Sequence, residues 1–299
     1  MGNGDDGPTA PPSSEVQNGK VCVVMFYDDH IKEYAGITET INRKYAERHG
    51  YQFHIFRNRF DTPEGRDPQW DKVKAVSDVM KQGDGDMCHY LMWIDADAAF
   101  KDHSVEIANL FTTYGNDETE IVISSDISNA RPSNKFQLWR KFPNTGTFIV
   151  KNTPWSREFF DWWWNNPGSY RHVLFHEQTR IADAINGDIM GASSKIAVVG
   201  DTVMNSNAGD LDADTYVCHM MAQPTKARVE MFTDLLEKVN KGEEMRSSEA
   251  FTSEGGEGFL HFNGRGPDVL IPFIIGVTFV VVVLALIVKL YFERRRGNS

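Results

Sequence analysis

The chain has 299 residues, 41% of them hydrophobic, and a formal net charge of -11. That is enough for one substantial α/β core with terminal segments to spare, and the acidic balance, with no long basic stripe in the soluble part, excludes nucleic acid as a partner. The three cysteines, Cys22, Cys88 and Cys218, are odd in number and lie in or beside apolar runs, so they read as reduced core thiols, not as a disulfide framework or a zinc site.

Residues 1–19 are rich in Gly, Pro, Ser and Asp, lack the apolar stretch of a secretory signal and read as a disordered tail. Gly2 follows Met1 as in myristoylation signals, but Asp6 stands where such a signal wants Ser or Thr. Residues 21–27 form a continuous apolar run, the pattern of a central strand buried on both faces. Residues 37–49 then carry Ile37, Ile41, Tyr45 and Ala46 at near-helical spacing, with Gly50 as a C-terminal cap. A strand at 52–56, a helix through Trp70, Val73, Val76 and Met80, and a strand at 89–94 follow. The alternation continues with strands at 120–124 and 147–151, a helix capped by Thr153-Pro154, a helix at 177–186 and a strand at 195–199. The fold class is α/β with a largely parallel sheet and no internal repeat.

Beyond residues 20–240, which make the main domain, residues 241–268 are rich in Gly and Glu and read as a flexible stalk. Residues 269–288 are twenty in a row without a charge, and a helix of that length spans a hydrocarbon core of about 30 Å. A transmembrane helix over 269–292 is expected, closed by Lys289 and by the basic tail 293–299 with Arg294, Arg295 and Arg296.

The strongest local signal is an apolar strand that ends in Asp95-Ala96-Asp97. Residues i and i+2 of an extended chain share a face, so both carboxylates can converge on one cation at the carboxyl end of a strand, where open α/β sheets place ligands. Their hard oxygens suit Mn²⁺ or Mg²⁺, which neutralises charge on a departing diphosphate. Lys72 on its helix could reach donor phosphates as a point charge, and Lys74 is a weaker candidate. The aromatic helix with Trp155, Phe159, Trp162, Trp163 and Trp164 reads chiefly as core, and His176 as a structural histidine.

Read together and in order, residues 42–51, Trp70 with Lys72, residues 93–98, Asn144-Thr145-Gly146-Thr147-Phe148 and Glu177-Gln178 carry a wider likeness. The chain resembles the galactosyl/mannosyl/xylosyltransferase family that includes fungal Golgi α-mannosyltransferases and plant xyloglucan xylosyltransferases, over roughly residues 20–232. The resemblance implies a GT-A fold, a Mn²⁺-dependent retaining transfer of a hexose or pentose from a UDP- or GDP-sugar, and a glycan acceptor. It implies that Asp95, Asp97 and His219 bind the metal and that the loop from Tyr27 receives the nucleotide. Asn144-Thr145-Gly146 would form the turn under the reacting sugar, and Glu177 and Gln178 would take the catalytic positions, where the family more often has Asp-Gln. Lys226 or Arg228 would bring a cation to the diphosphate, at a spacing that departs from the family's usual histidine-to-lysine interval.

Two rivals compete with this reading. A phosphotransferase of the haloacid dehalogenase type also ends a strand in Asp-X-Asp, but its nucleophile normally ends the first core strand, whereas two strand-like runs precede Asp95 here. A catalytically inactive, membrane-tethered sugar-binding module would keep the fold, but Asp95, Asp97, Glu177 and His219 are all intact. The family's anchor is usually N-terminal and its compartment the Golgi lumen. The C-terminal anchor, the reduced cysteines and the lack of any Asn-X-Ser/Thr sequon instead predict a cytosolic catalytic domain, with the Golgi or ER lumen as the alternative that the basic tail favours.

Overall fold

The structure is a computed structural model that describes residues 20–60, 65–82, 88–126, 141–172, 175–206 and 215–242. In chain order it contains β1 (Val21–Phe26), α1 (Lys32–His49), β2 (Gln52–Phe56), α2 (Asp71–Met80), β3 (Tyr90–Ile94), β4 (Ala98–Phe100), α3 (Ile107–Tyr114), β5 (Ile121–Ser125) and β6 (Pro143–Lys151). There follow α4 (Pro154–Asn165), α5 (His176–Asn186), α6 (Ala192–Lys195), β7 (Ile196–Val199), α7 (Asp201–Met204), β8 (Val217–His219) and α8 (Thr225–Lys241). None of the described helices is long and apolar enough to cross a membrane. The predicted N-terminal tail, nearly all of the stalk, the spanning segment and the basic tail lie outside the described residues.

The main sheet has six strands in the order β2-β1-β3-β6-β5-β7. β1 pairs parallel with β2 and β3, and β5 with β7, while β6 runs antiparallel to both β3 and β5. This reversal positions the site, because the first residues of β6 lie at the edge where the parallel strands end. The predicted Asn144-Thr145-Gly146 turn is thus corrected to strand. Proline at the first position of β6 is compatible with this, since a strand's first residue can spare its donor.

Both faces of the sheet are covered. Cys22, Val24, Leu91, Trp93, Ile121, Ile123, Phe148 and Val150 alternate onto the face that meets Trp70, Val76, Met80, Phe159, Phe160 and Trp163, all buried. The aromatic helix therefore packs as core along one stripe. It starts with a capping box, in which Thr153 and Ser156 satisfy each other's backbone N–H groups, and has proline in its first turn. Helix α1 begins at Lys32, ahead of the predicted Ile37, because Tyr34 and Ala35 extend the buried stripe of Thr38, Ile41, Asn42 and Tyr45. It ends at left-handed Gly50 (φ 68°), whose N–H bonds back to Ala46 and Glu47.

One expectation about the cysteines is overturned. Cys22 and Cys88 are joined in a disulfide with their Cα atoms 5.8 Å apart, and Cys218 alone is free and buried. The parallel pairing of β1 with β3 brings them together: His89 N–H donates to the Lys20 carbonyl at 2.7 Å, so the chain at 88 runs beside residue 22. At a sequence separation of 66, only strand order determines that contact.

Candidate active site

β3 ends at Ile94, and residues 95–98 form a turn in which the Ala98 N–H donates to the Asp95 carbonyl at 3.0 Å. The two carboxylates therefore converge through a turn and not through the alternation of an extended strand. Helix α1 fixes this turn from behind. Thr38 Oγ1 donates to the Ala96 carbonyl (2.8 Å) and Asn42 Nδ2 to the Ala98 carbonyl (3.0 Å), while Asn42 Oδ1 accepts from the Phe100 N–H (3.0 Å). Both side chains are fully buried, so they satisfy backbone groups that water cannot reach.

β4 then pairs antiparallel with β8, with Ala98 opposite His219. This register delivers the histidine to the turn, and the ligand atoms of Asp95, Asp97 and His219 lie within 4.8 Å of one another. Gly146 makes the close approach possible: a Cβ there would meet His219 Cε1 at 2.1 Å and Asn144 Oδ1 at 2.9 Å.

The donor set fits a small divalent cation. Asn205 Nδ2 donates to the Ser125 carbonyl at 3.2 Å, which turns Asn205 Oδ1 toward His219 Nδ1 at 2.7 Å and requires the proton on that nitrogen. His219 Nε2 then lies 3.2 Å from Asp97 Oδ1. That is about the separation of neighbouring ligands of one ion bound at roughly 2.1 Å. The second oxygen, Asp97 Oδ2, accepts from Arg228 Nη2 at 2.7 Å, and Arg228 Nη1 donates to the Tyr34 hydroxyl at 3.3 Å. Burial alone would push the Asp97 carboxyl up, but His219 and Arg228 together hold it below the usual carboxylate range. Burial raises the Tyr34 phenol to about 12.

A cavity of about 240 Å³ opens beside this cluster, lined by Lys72, Asp95, Asn144, Thr145, Gly146, Glu177, Gln178 and His219, with Gln69, Phe175 and His176 on its margin. Inside it, Lys72 Nζ is 3.0 Å from Asp95 Oδ1, 3.2 Å from Glu177 Oε1 and 3.1 Å from the Thr145 carbonyl. Desolvation works against this ammonium, yet the two carboxylates outweigh it and raise its pKa above the ordinary lysine value. Lys72 is therefore a bridge between two acidic residues and not a free cation awaiting a phosphate.

Glu177 sits in the first turn of α5 and is almost wholly buried. Its Oε1 also accepts from Thr145 Oγ1 at 2.8 Å, whereas its Oε2 has no partner among the described residues. A buried, unpartnered carboxylate oxygen on a residue that lines a cavity calls for a ligand or a catalytic role. The neighbouring Gln178 donates from Nε2 to Asp126 Oδ2 at 3.0 Å, and Asn144 Nδ2 donates to the same oxygen at 3.2 Å.

Two residues expected at the site lie elsewhere. Lys226, in the first turn of α8, is 87% exposed and pairs with Glu230 at 3.7 Å. Residues 225–228 are helical, so their side chains diverge, and Arg228 is the one that turns to Asp97. Tyr27, at the end of β1, is buried, its hydroxyl donates to Glu39 and the Arg57 guanidinium lies 4.0 Å from its ring centroid. It does not line the cavity. Lys74 pairs with Asp78 on its own helix. Sequence reading passed over Asn205, Asp126 and Tyr34, for these act through long-range hydrogen bonds that no local pattern announces.

The reversed strand in a mostly parallel sheet, with an acidic turn and a buried glutamate at one carboxyl edge, defines the layout of a GT-A-like glycosyltransferase. Residues 17–210 match the galactosyl transferase GMA12/MNN10 family, and the chain belongs to it. Among solved structures it is similar to a glycosyltransferase involved in the glycosylation of the major capsid of PBCV-1, at 14% identity and a TM-score of 0.55 over 72% of this chain and 99% of that one. It is also similar to the galactosyltransferase LgtC, solved with donor and acceptor sugar analogs, at 13% identity and a TM-score of 0.47 over 73% of this chain and 95% of that one. No curated protein matches.

Proposed function

We propose that this glycosyltransferase moves a hexosyl or pentosyl unit from a UDP- or GDP-sugar to a glycan hydroxyl, with Mn²⁺ as cofactor and retention at the anomeric carbon. The observation that carries the reading is the Asp95–Asp97–His219 cluster beside a cavity lined by Asp95, His219 and the buried Glu177, whose Oε2 has no partner among the described residues. A divalent cation held by Asp95, Asp97 and His219 would neutralise the charge gathering on the departing diphosphate. The bond from the anomeric carbon to the diphosphate oxygen breaks with its electron pair, the acceptor oxygen bonds to that carbon, and the acceptor proton passes to the leaving phosphate oxygen. Glu177, held through Oε1 by Lys72 and Thr145, would meet the positive charge that develops on the sugar ring. Retention rests on family membership.

The test is hydrolysis of UDP- and GDP-sugars across a Mn²⁺ titration, with His219→Ala beside the wild-type chain. The half-saturating Mn²⁺ concentration should rise about tenfold or more in the variant, the scale of a lost interaction of about 1.4 kcal/mol. Superimposed titrations with a normal thermal melt would take His219 out of the metal site.

The cysteines support a reading of the compartment. Disulfides persist in oxidising spaces, so the Cys22–Cys88 pair supports a catalytic domain on the luminal side, anchored through residues 269–292 with the Arg294–Arg295–Arg296 cluster in the cytosol. In sealed vesicles, protease should spare the domain, and alkylation in denaturant before reduction should label Cys218 and leave Cys22 and Cys88 unlabelled. Digestion of the domain, with Cys22 and Cys88 open to alkylation, would restore the cytosolic orientation.

A further inference from the structure

Phe175 and Met190 are the large hydrophobic residues exposed among those described, and of the two only Phe175 lines the cavity. Its relative exposure is 46%, and its backbone is left-handed (φ 68°), as is that of His176 after it (φ 27°). A non-glycine residue in that region is strained, and two in succession persist only where the surroundings impose them. The strain places an apolar ring in water two residues before Glu177. Buried Phe142 stands edge-on to it at 5.5 Å between centroids and 82° between planes, which steadies the ring. On the same margin Gln69 is exposed and has no side-chain hydrogen bond among the described residues, while His176 is tied to Asp67 at 2.8 Å.

An apolar face beside a free amide matches the two-sided chemistry of a pyranoside, whose C–H face is apolar and whose edge carries hydroxyls. The place on the sheet edge decides which sugar this is. Tyr27 follows β1, Asp95 follows β3, and beyond lies β6 with α5 packed on it. The diphosphate belongs at Asp95 and Asp97, while Phe175 caps α5, whose strand contacts are chiefly with β6.

We infer that Phe175 and Gln69 form the subsite for the acceptor sugar: the ring stacks on its C–H face, and the amide bonds a hydroxyl at its edge. The inference rests on the transfer reading proposed above.

The test uses the full chain with Mn²⁺, UDP-glucose, UDP-galactose, UDP-xylose and GDP-mannose as donors, and the methyl glycosides of mannose, galactose and glucose as acceptor probes. No metal-dependent turnover with any donor would sink the transfer reading itself. Given turnover, at least one glycoside should stimulate it saturably in the wild-type chain. Phe175→Ala should raise the half-saturating glycoside about tenfold while the half-saturating donor moves less than about twofold, and Phe175→Tyr, which keeps the ring, should stay within about threefold of wild type. A donor shift as large as the glycoside shift would mean that the ring stacks on the nucleobase, and would overturn the assignment. An unchanged glycoside value in Phe175→Ala, or no saturation by any probe in the wild-type chain, would overturn it as well. Should Phe175→Ala fail its thermal melt, Gln69→Ala at its exposed position decides, with a rise of about threefold expected and no rise counting against the subsite.

Discussion

Glu177→Gln should lower turnover by about 100-fold while the half-saturating donor concentration changes by less than about threefold, the signature of losing a group that acts mainly in the transition state. The geometry sets this expectation. Oε1 is committed to Lys72 and Thr145, while Oε2 is buried without a partner among the described residues, on a residue that lines the cavity. The uncharged amide keeps the shape and removes the negative charge that a developing oxocarbenium would meet. Stability should change little, because Lys72 retains Asp95 and the Thr145 carbonyl. Single-turnover rates with a saturating nucleotide-sugar and Mn²⁺ provide the measurement. Wild-type turnover in a folded Glu177→Gln variant would remove Glu177 from the chemistry.

How much of this was legible in the sequence depends on the range of the interaction that carries it. Strands β1, β2 and β3 follow from apolar runs bounded by turns, and the α4 cap is written in Thr153-Pro154-Trp155-Ser156. The acidic turn was visible because strand and carboxylates are contiguous. His219 was reachable through family order, but its delivery depends on the Ala98↔His219 register of a short two-stranded sheet, which three-residue strands do not advertise. The direction of β6 was not legible either, so Asn144-Thr145-Gly146 read as a turn when it is the start of a strand. The Cys22–Cys88 bond escaped for the same reason, since strand order is a global property. Lys72 was visible as a cation. That it bridges two carboxylates was not, because α2, β3 and α5 meet only in the folded chain.

That bridge gives the second large effect: Lys72→Met should destabilise the protein by about 3–5 kcal/mol, since removing one member of a buried ion cluster leaves its partners uncompensated. For a domain of this size the melting temperature should fall by roughly 10 °C. The mechanism predicts more than a loss. With Lys72 gone, Asp95 and Glu177 face each other as like charges that both lay within 3.2 Å of its ammonium. Discharging one should recover part of the stability, so Lys72→Met/Glu177→Gln should melt above Lys72→Met, with a coupling energy of about 1 kcal/mol or more. The pH dependence has a definite sign. The folded-state pKa of Lys72 lies above its unfolded value, so its contribution is complete below the unfolded pKa of about 10.4 and is lost only as pH rises through the higher folded value. The gap between wild type and Lys72→Met should therefore stay constant from roughly pH 6 to 9 and narrow only above about 10.4. Thermal melts of the wild type, both single variants and the double variant across that range test the whole account. Additive losses in the double variant, or a gap that does not narrow above about 10.4, would show that Lys72 acts there as packing and not as the charge that keeps two carboxylates together.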